Sequence, residues 1–210
     1  MTAKAAFWND RAQEYSAQPV ANPDAFDRKI EITRARMRPT DVVLDIGCGT
    51  GSLALRLASA GAKIHGLDVS DEMVRIAEGK ARTQMVGNVA FHNGLFDDSF
   101  TEFEDGSLDG ICAYSILHLI EDRPAALARM FKLLKPGGFL ISSTVCVGES
   151  WMPYSMILGA MRWFGKAPYV AIITKDALAA DMAGAGFVDL SQPDVGAKNT
   201  IAFIVASKPR

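Results

Sequence analysis

An acidic residue followed by three glycines is the part of this sequence with the clearest chemical meaning. Asp45 stands two residues before Gly47, and Gly49 and Gly51 follow at every second position, with Cys48 in the first gap. Glycine has no Cβ, so such a turn lets a ligand approach the backbone closely and adopts a positive φ at little cost. A carboxylate beside the turn favours a cationic group and repels a pyrophosphate. These residues therefore predict a binding turn suited to a positively charged ligand.

A second acidic residue lies where a ribose could be bound. Asp68 follows Gly47 by 21 positions (68 − 47), close to the roughly 20-residue spacing at which an acid reaches the ribose hydroxyls in dinucleotide-binding folds. Both oxygens of a carboxylate can accept hydrogen bonds from a vicinal diol. Asp68 could instead cap the helix that follows, but Ser70 already supplies a cap there. We therefore predict that Asp68 binds a ribose.

His118 is the titratable side chain best placed for proton transfer. It follows the end of a predicted strand, and imidazole is the side chain whose ordinary pKa lies nearest to neutral pH. One interpretation is a general base, and the other is a histidine that fixes its loop by hydrogen bonding. His65 and His92 lie elsewhere in the chain and are expected to be structural. Three scattered histidines predict no metal site.

Short apolar runs alternate with amphipathic segments, which predicts an α/β fold. Val42–Ile46 is typical of a buried strand and Ser52–Ala60 of a helix, so the glycine turn joins a strand to a helix. Further strands are predicted at Ala62–Leu67, Val89–His92, Phe139–Val145 and Asn199–Ser207, with others ending at Tyr114 and following Phe187, and helices at Asp24–Arg36, Ser70–Thr83, from Asp122 onward and from Thr174 to Gly184. The carboxyl ends of parallel strands meet at one edge of a sheet, where ligands bind.

The run Asp-Ile-Gly-Cys-Gly-Thr-Gly that begins at Asp45 resembles motif I of the class I S-adenosylmethionine-dependent methyltransferases. The rival pattern is the dinucleotide fingerprint Gly-x-Gly-x-x-Gly/Ala. It needs Gly or Ala at position 52, where this chain has Ser52, and it asks for no acid at Asp45. The run Leu-Leu-Lys-Pro-Gly-Gly at Leu133–Gly138 is similar to a structural signature of the same methyltransferases. The resemblance covers roughly Asp41 to the C-terminus, with 148–170 outside it.

The resemblance implies a doubly wound, mostly parallel seven-stranded sheet with an antiparallel last strand and helices on both faces. It implies S-adenosyl-L-methionine as the cofactor, with Val69 and Met73 against the adenine and the backbone of Ala113 against the methionine ammonium. Ordinary core packing would explain Val69 and Met73 equally well. The cofactor-binding residues predicted in this way are Asp45, Gly47, Cys48, Gly49, Gly51, Asp68, Val69, Met73, Leu95, Phe96 and Ala113.

The loop after the third strand departs from the family pattern. Where the family has an acid that accepts the adenine amino group, this chain has Leu95, followed by Phe96. A leucine side chain cannot accept a hydrogen bond. The backbone at Phe96 could read the adenine edge alone, or Asp97 or Asp98 could substitute from further along the loop. Losing one hydrogen bond to a charged group would cost about 1.5–3 kcal/mol of binding.

Two segments outside the alternating pattern could cover a bound acceptor. Met1–Tyr15, within the predicted lid segment 1–38, resembles the aromatic N-terminal segment that folds over the cofactor in many small-molecule methyltransferases, and Tyr15 is its residue predicted to face the site. Simple docking of its aromatic residues on the core is the alternative. After His118, Tyr15 and Tyr114 are the further candidate bases. Segment 148–173 contains a helix, predicted from near Pro153, that is apolar nearly all round. A hydrophobic lid, a homodimer contact and a patch on a membrane surface remain open for it.

Length and composition restrict the remaining possibilities. A chain of 210 residues, 49% of them apolar, suits a single domain over 1–210. The net charge of −2 gives no reason to expect a nucleic-acid partner. Neither a secretory leader nor an apolar run long enough to span a bilayer is visible. Three cysteines without paired spacing favour reduced thiols over a zinc site, and we expect a cytoplasmic protein without stable membrane insertion.

The sequence thus predicts methyl transfer from S-adenosyl-L-methionine to a small acceptor. A hydrophobic lid would make that acceptor apolar or aromatic. A protein that binds the cofactor without catalysis, as a sensor or partner subunit, is one alternative, which Leu95 keeps open. An NAD(P)-dependent oxidoreductase is another, disfavoured by Asp45 and Ser52.

Overall fold

The structure is a computed structural model that describes residues 3–148 and 167–210, together with 150, 152, 154, 159 and 161. Half of the apolar segment 148–173 is therefore not covered. Trp151, Pro153, Trp163 and Phe164 lie outside the described residues, and only isolated positions of the helix predicted from near Pro153 are described. The lid, dimer and membrane-surface interpretations of that segment depend on the same residues.

Strands and helices alternate through the described chain, as the sequence predicts. The strands are β1 (Val42–Ile46), β2 (Lys63–Asp68), β3 (Val89–Asn93), β4 (Leu108–Tyr114), β5 (Leu134–Val145), β6 (Val188–Ser191) and β7 (Ile201–Ser207). The α-helices are α1 (Ala3–Asn9), α2 (Ala12–Ala17), α3 (Pro23–Arg36), α4 (Ser52–Leu57), α5 (Asp71–Thr83), α6 (Arg123–Leu133) and α7 (Lys175–Gly184), with 3-10 turns at Ala58–Ala60 and Leu117–Leu119.

One seven-stranded sheet carries the fold, in the order β3-β2-β1-β4-β5-β7-β6. The strands from β1 to β5 pair in parallel, and β7 pairs antiparallel with both β5 and β6. The predicted mostly parallel sheet with an antiparallel last strand is confirmed. The chain order reverses beside β1, between β1 and β4, which is the topological switch point where ligands bind in such sheets.

Both faces of the sheet are covered by helices, as predicted. On one face, Ile30 of α3 and Leu53 and Leu57 of α4 pack with Val43 of β1. On the other face, a larger cluster contains side chains from two helices and from the sheet. They are Leu127, Met130 and Leu133 from α6, Leu178 and Met182 from α7, and Leu44, Ile46, Ile111, Leu140 and Ile204 from the strands. Burial on both faces explains why the central strands are apolar runs rather than alternating patterns.

The entry into β5 differs from the prediction. The run Leu133–Gly138 was predicted to turn the chain into a strand beginning at Phe139, but the strand begins at Leu134. Leu134 pairs with Leu108, and a register shift separates this pair from Gly110 and Phe139. Pro136 and Gly137 are therefore an irregularity inside β5, which a turn signal in the sequence cannot distinguish from a turn before the strand.

Two further observations concern the described part of the chain. None of its helices is both long and apolar enough to cross a membrane. Cys48, Cys112 and Cys146 are all buried, and burial raises the pKa of Cys48 and of Cys112. They therefore pack as small apolar side chains.

Candidate active site

A cavity of about 680 Å³ lies at the carboxyl edge of the parallel strands. It is bordered by the ends of β1, β2 and β4 and by the loop after β3. The lining residues at this edge are Ile46, Gly47, Gly49, Leu67, Asp68, Val69, Met73, Gly94, Leu95, Phe96, Tyr114 and Ser115. The volume is in the range of pockets that enclose a small molecule. Among the predicted cofactor-binding residues, Gly47, Gly49, Asp68, Val69, Met73, Leu95 and Phe96 all reach it.

The glycine turn needs each of its glycines, for different reasons. Gly47, Gly49 and Gly51 have φ of +70°, +52° and +78°, a region that residues with a Cβ rarely adopt. A Cβ at Gly49 would point into the cavity, with the Tyr15 ring 3.6 Å away as its nearest neighbour. A Cβ at Gly51 would lie 2.9 Å from Ala77 and Phe91. Gly49 therefore keeps space for a ligand, whereas Gly51, which does not line the cavity, permits close packing.

Asp68 occupies the end of β2 with both carboxylate oxygens already oriented. Its Oδ2 accepts from the backbone N–H of Gly49 at 2.8 Å, and its Oδ1 accepts from that of Ser70 at 2.9 Å. Burial raises the pKa of Asp68, and the N–H groups of Ser70 and Gly49 oppose that rise. Each oxygen retains a second lone pair. A carboxylate held in this way at the cavity wall can accept from the two hydroxyls of a ribose.

Asp45 is placed differently from what the sequence argument assumed. Its side chain is only 1% exposed and does not line the cavity. Its Oδ2 has no hydrogen-bond partner among the described residues. Burial first, and the charge of Asp68 second, raise the pKa of Asp45 to about 8. A raised pKa favours the protonated carboxyl, so Asp45 is a weaker source of negative charge than the sequence suggested.

Ala113 and Cys48 also lie behind the cavity wall. Ala113 is fully buried in β4, and the residues after it, Tyr114 and Ser115, line the cavity instead. The Tyr114 hydroxyl lies 2.8 Å from the Thr33 hydroxyl and donates to the Lys29 carbonyl at 3.2 Å. Burial raises the pKa of Tyr114, so this phenol is not a candidate base.

The loop after β3 lines the cavity with two apolar residues followed by two acids. Leu95 and Phe96 line the cavity, and so do Asp97 and Asp98. The Asp97 Oδ1 accepts from the Ser99 backbone at 2.9 Å and from its hydroxyl at 2.5 Å. The acids that sequence analysis offered as substitutes for Leu95 are therefore within reach of the same cavity.

The loop after β4 brings His118 to the same cavity. The His118 ring is buried, and its Nδ1 has no hydrogen-bond partner among the described residues. Burial lowers the pKa of His118 to about 4, so the ring is neutral at neutral pH. Its backbone carbonyl accepts from the N–H of Ala171 at 2.7 Å, which joins this loop to the segment that contributes Tyr169 to the cavity.

The N-terminal helices close one side of the cavity. Lys4 and Trp8 of α1 and Tyr15 of α2 line it. Tyr15 is about half exposed, and its ring lies over Gly49. Burial raises the pKa of Tyr15, and the nearby Asp68 and Asp45 add to the rise. The predicted orientation of Tyr15 toward the site agrees with this placement.

Some cavity residues carried no signal in the sequence. Lys4 lies on a short helix and pairs with Glu121 at 3.2 Å. Arg129 reaches from α6 to within 3.7 Å of Asp98, and its Nε has no partner in the described part of the chain. Isolated charged residues on amphipathic helices look like solvated surface, so no spacing rule would have selected Lys4 or Arg129.

The two remaining histidines form a pair away from the cavity lining. His65 Nδ1 and His92 Nε2 are 2.9 Å apart across β2 and β3. Burial and the neighbouring His92 lower the pKa of His65 to about 4. Within the described residues, no group of three His, Cys, Asp or Glu side chains could hold a metal ion.

The site fits S-adenosyl-L-methionine in the features that the structure shows. Gly49 leaves open a space that a Cβ would fill. Asp68 offers two oriented acceptors for a diol, and Leu95, Phe96, Val69 and Met73 offer an apolar wall for a purine. His118, Trp8 and Tyr169 line the same cavity.

Comparison with known proteins agrees with this geometry. The model of a methyltransferase domain family matches residues 38–180, which is more than half of the chain. The chain is 28% identical over 194 residues to the O-methyltransferase cnsE of Penicillium expansum, covering 90% of this chain and 66% of the relative. It is 32% identical over 118 residues to a ubiquinone biosynthesis O-methyltransferase of Xanthomonas axonopodis pv. citri, covering 56% of this chain and 48% of the relative.

A solved structure shows the same fold at low identity. The phosphoethanolamine N-methyltransferase 2 of Haemonchus contortus, in complex with S-adenosyl-L-methionine, superimposes with a TM-score of 0.71 and 19% identity. The superposition covers 88% of this chain and 53% of that one. This chain therefore spans about half to two thirds of the length of these relatives. With the matched domain, the sheet order and the glycine turn together, the chain belongs to the class I S-adenosylmethionine-dependent methyltransferase family.

Proposed function

We propose that this chain transfers the methyl group of S-adenosyl-L-methionine to a small apolar or aromatic acceptor. The observation that carries the proposal is one cavity lined by the glycine turn, by Asp68 and by apolar and aromatic side chains, among them Trp8, Leu119 and Tyr169. Asp68 suits a ribose, and the apolar side chains suit an apolar molecule. A cavity of about 680 Å³ with both kinds of lining can hold a donor and an acceptor side by side.

The chemistry places few demands on the protein. The bound cofactor supplies a sulfonium-linked methyl group with a good leaving group already in place. The chain therefore has to orient the acceptor and exclude water. Orientation of two reactants can contribute about 7–11 kcal/mol to lowering a barrier. Asp68, the glycine turn and the apolar wall at Leu95 and Phe96 would fix the donor, and the N-terminal helices would close the cavity.

His118 is proposed to accept a hydrogen bond from the acceptor hydroxyl or amine. Its ring is neutral over the working pH range because burial lowers its pKa to about 4, so it offers a lone pair at all these pH values. A group with so low a pKa is a weak base. We therefore assign it orientation of the nucleophile ahead of storage of a proton. The loop-fixing alternative is served by its backbone carbonyl, which bonds to Ala171.

The test is methyl transfer measured with isotopically labelled cofactor and a graded acceptor panel. A phenol, a quinol, an apolar thiol and an aromatic amine form the first set, and matched carboxylated and quaternary-ammonium analogues form the second. The proposal predicts labelled product with the first set and at least tenfold less with the second. Transfer only to the charged set would overturn the acceptor class. Cofactor binding without consumption by any acceptor would favour a non-catalytic binding protein.

The role of His118 has its own readout. His118→Gln keeps a hydrogen-bonding side chain, and His118→Phe fills the same space without one. We expect cofactor affinity to be unchanged in both, and turnover to fall about tenfold or more in His118→Phe, with partial retention in His118→Gln, because one positioned hydrogen bond would be lost. Equal turnover in His118→Phe and the unmodified protein would refute the role.

A further inference from the structure

We propose that Asn9 is a positioning residue that ties the docking of α1 and α2 to the carboxylate of Asp68, so that closure of the N-terminal helices and cofactor binding are coupled. The proposal rests on the proposed function, because the ligand at Asp68 is taken to be the cofactor ribose. Asn9 itself does not line the cavity. It would act through the residues that it holds.

A chain of hydrogen bonds connects Asn9 to the glycine turn. The Asn9 Oδ1 accepts from the Ser70 hydroxyl at 2.5 Å, and its Nδ2 donates to the Asp71 Oδ1 at 2.5 Å. The backbone N–H of Ser70 donates to Asp68 Oδ1, and the N–H of Gly49 donates to Asp68 Oδ2. Three segments distant in sequence, at Asn9, at Gly49 and at Asp68–Asp71, are therefore connected around the carboxylate proposed to bind the cofactor.

The Asn9 contacts are made to a rigid, buried anchor. Ser70 is fully buried and its hydroxyl also accepts from the Met73 N–H at 3.1 Å, as the N-cap of α5. A capping hydroxyl of this kind contributes about 1 kcal/mol to its helix. Because Ser70 is fixed on both sides, Asn9 fixes the end of α1 relative to the turn between β2 and α5.

The segment that Asn9 anchors contributes one wall of the cavity. Trp8 is the preceding residue, and Tyr15 on α2 lies over Gly49. A shift of α1 would therefore move both aromatic side chains away from the space at the glycine turn. The ion pair between Lys4 and Glu121 also joins α1 to the rest of the chain, but both side chains are about half exposed, and such pairs contribute about 0–1 kcal/mol.

The anchor also explains how ligand binding could reach the N-terminal helices. A diol at Asp68 would donate two hydrogen bonds to a carboxylate that already holds the Ser70 backbone in place. Because Trp8 and Tyr15 line the same cavity, a ligand bound at Asp68 would favour the docked position of α1 and α2, in which the Asn9 contact is formed. Docking of α1 and α2 should in turn slow the escape of the bound cofactor, since linkage between two such events is reciprocal.

The test combines hydrogen exchange with cofactor dissociation rates in the full chain. In the unmodified protein, S-adenosylhomocysteine should slow exchange in peptides covering 3–17. Asn9→Ala should speed exchange there at least fivefold without ligand and raise the dissociation rate of S-adenosyl-L-methionine about tenfold. The double variant with Tyr15→Ala should dissociate no faster than the faster single variant, because both changes remove the same wall.

An exchange of side chains separates this role from general destabilisation. Asn9→Asp alone places a second carboxylate beside that of Asp71. The two repel each other, so this variant should behave like Asn9→Ala. Combining it with Asp71→Asn restores an amide–carboxylate pair and keeps an acceptor for Ser70, so dissociation should return to within about threefold of the original rate. The matched control is Asn88→Ala, which removes side-chain bonds to the carbonyls of Ala58 and Gly61, and which should lower Tm without changing dissociation.

The outcomes distinguish the two levels of the argument. No binding of S-adenosyl-L-methionine by the unmodified protein would contradict the proposed function. Normal binding with an unchanged dissociation rate in Asn9→Ala would overturn only the role of Asn9. Equal acceleration of dissociation in Asn9→Ala and Asn88→Ala at equal loss of Tm would also overturn it, because the effect would then be one of stability.

Discussion

At the residue scale, Asp45 and Asp68 differ in how readily each carboxyl group carries a negative charge. Asp68 receives two backbone N–H groups, whereas the Oδ2 of Asp45 receives no donor from the described residues. Hydrogen bonds to the charged form favour ionisation, and burial without them disfavours it. The hydrogen-bonded Asp68 is therefore the better place for a negative charge, and Asp45 is the better place for a proton. A cationic ligand nearby would shift that balance.

The first prediction is that cofactor binding releases a proton. The pKa of Asp45 is about 8 in the free protein, and a nearby sulfonium and ammonium should lower it in the complex. At pH 7 a group with this pKa is about 0.9 protonated, so binding should release up to about 0.9 proton. Affinity should rise with pH up to about 8 and then level off. Calorimetry in buffers of different ionisation enthalpy measures the release.

Asp45→Asn is the matched control for that measurement. It keeps the shape of the side chain but cannot ionise, so proton release should disappear and the rise in affinity with pH should flatten. The cofactor's own α-amino group titrates near 7.7–8.0, and its contribution would be common to both proteins. Equal proton release by the two proteins would show that Asp45 is not the group that titrates.

The second prediction concerns the folding stability of the ligand-free protein, which should fall as pH rises, whereas cofactor affinity should rise. The pKa of Asp45 is raised above its value in the unfolded chain, so the folded state binds more protons and stability falls as pH rises from about 4 to about 8. Asp45→Asn should remove this fall. The ligand-free variant should therefore have a higher Tm than the unmodified protein at pH 9, although it binds the cofactor more weakly. A lower Tm at pH 9 would contradict the assignment.

The third prediction is that Asp68→Ala weakens cofactor binding about 10- to 100-fold with the fold intact. A hydrogen bond to a charged group contributes about 1.5–3 kcal/mol, and the diol would lose its acceptors. Asp68→Asn retains one acceptor oxygen, so its cofactor affinity should lie between those of the unmodified protein and of Asp68→Ala. Titration calorimetry gives the affinities and circular dichroism checks the fold. Unchanged affinity in Asp68→Ala would remove Asp68 from the site.

Sequence analysis could place Asp68 but not the protonation of Asp45. The position of Asp68 follows from strand length and a spacing rule, which are local properties. The state of Asp45 depends on the burial of one oxygen by groups from several elements, and no local pattern encodes that. The same holds for His118, whose place at the strand edge was predictable but whose low pKa comes from tertiary burial.

At the element scale, the turn between β1 and α4 combines binding with packing. Gly49 faces the cavity, whereas Gly51 lies against Ala77 of α5 and Phe91 of β3. The motif is therefore also a packing device that sets the distance between α5 and the sheet. Sequence analysis assigned all three glycines to cofactor binding, since their pattern alone does not show which side each one faces.

The fourth prediction separates these roles with two glycine substitutions. Gly51 and Gly106 have similar φ values, +78° and +68°, but a Cβ at Gly106 would meet nothing within 4 Å. Gly106→Ala should cost about 1–2 kcal/mol from backbone strain. Gly51→Ala should cost about 1–3 kcal/mol more, because it also overpacks the core. Chemical denaturation measures both, and equal losses would show that the contact at Gly51 relaxes freely.

At the scale of the whole molecule, the site is assembled from segments that are far apart in the chain. Strand ends from β1, β2 and β4 meet because parallel pairing brings their carboxyl ends to one edge, and this could be predicted from the alternating pattern. The wall formed by Lys4, Trp8 and Tyr15 depends on the docking of α1 and α2 against α5. Long-range docking of short helices has no periodic signature in a sequence. Only the aromatic residues of this segment indicated that it docks at the site.

The account as a whole rests on the assignment of the cavity to S-adenosyl-L-methionine. The most direct measurement is titration calorimetry of the full chain with S-adenosyl-L-methionine, S-adenosylhomocysteine and NAD. We predict one site per chain for the two sulfur ligands, lost or weakened in Asp68→Ala, and no binding of NAD. Binding of NAD with neither sulfur ligand bound would contradict the account.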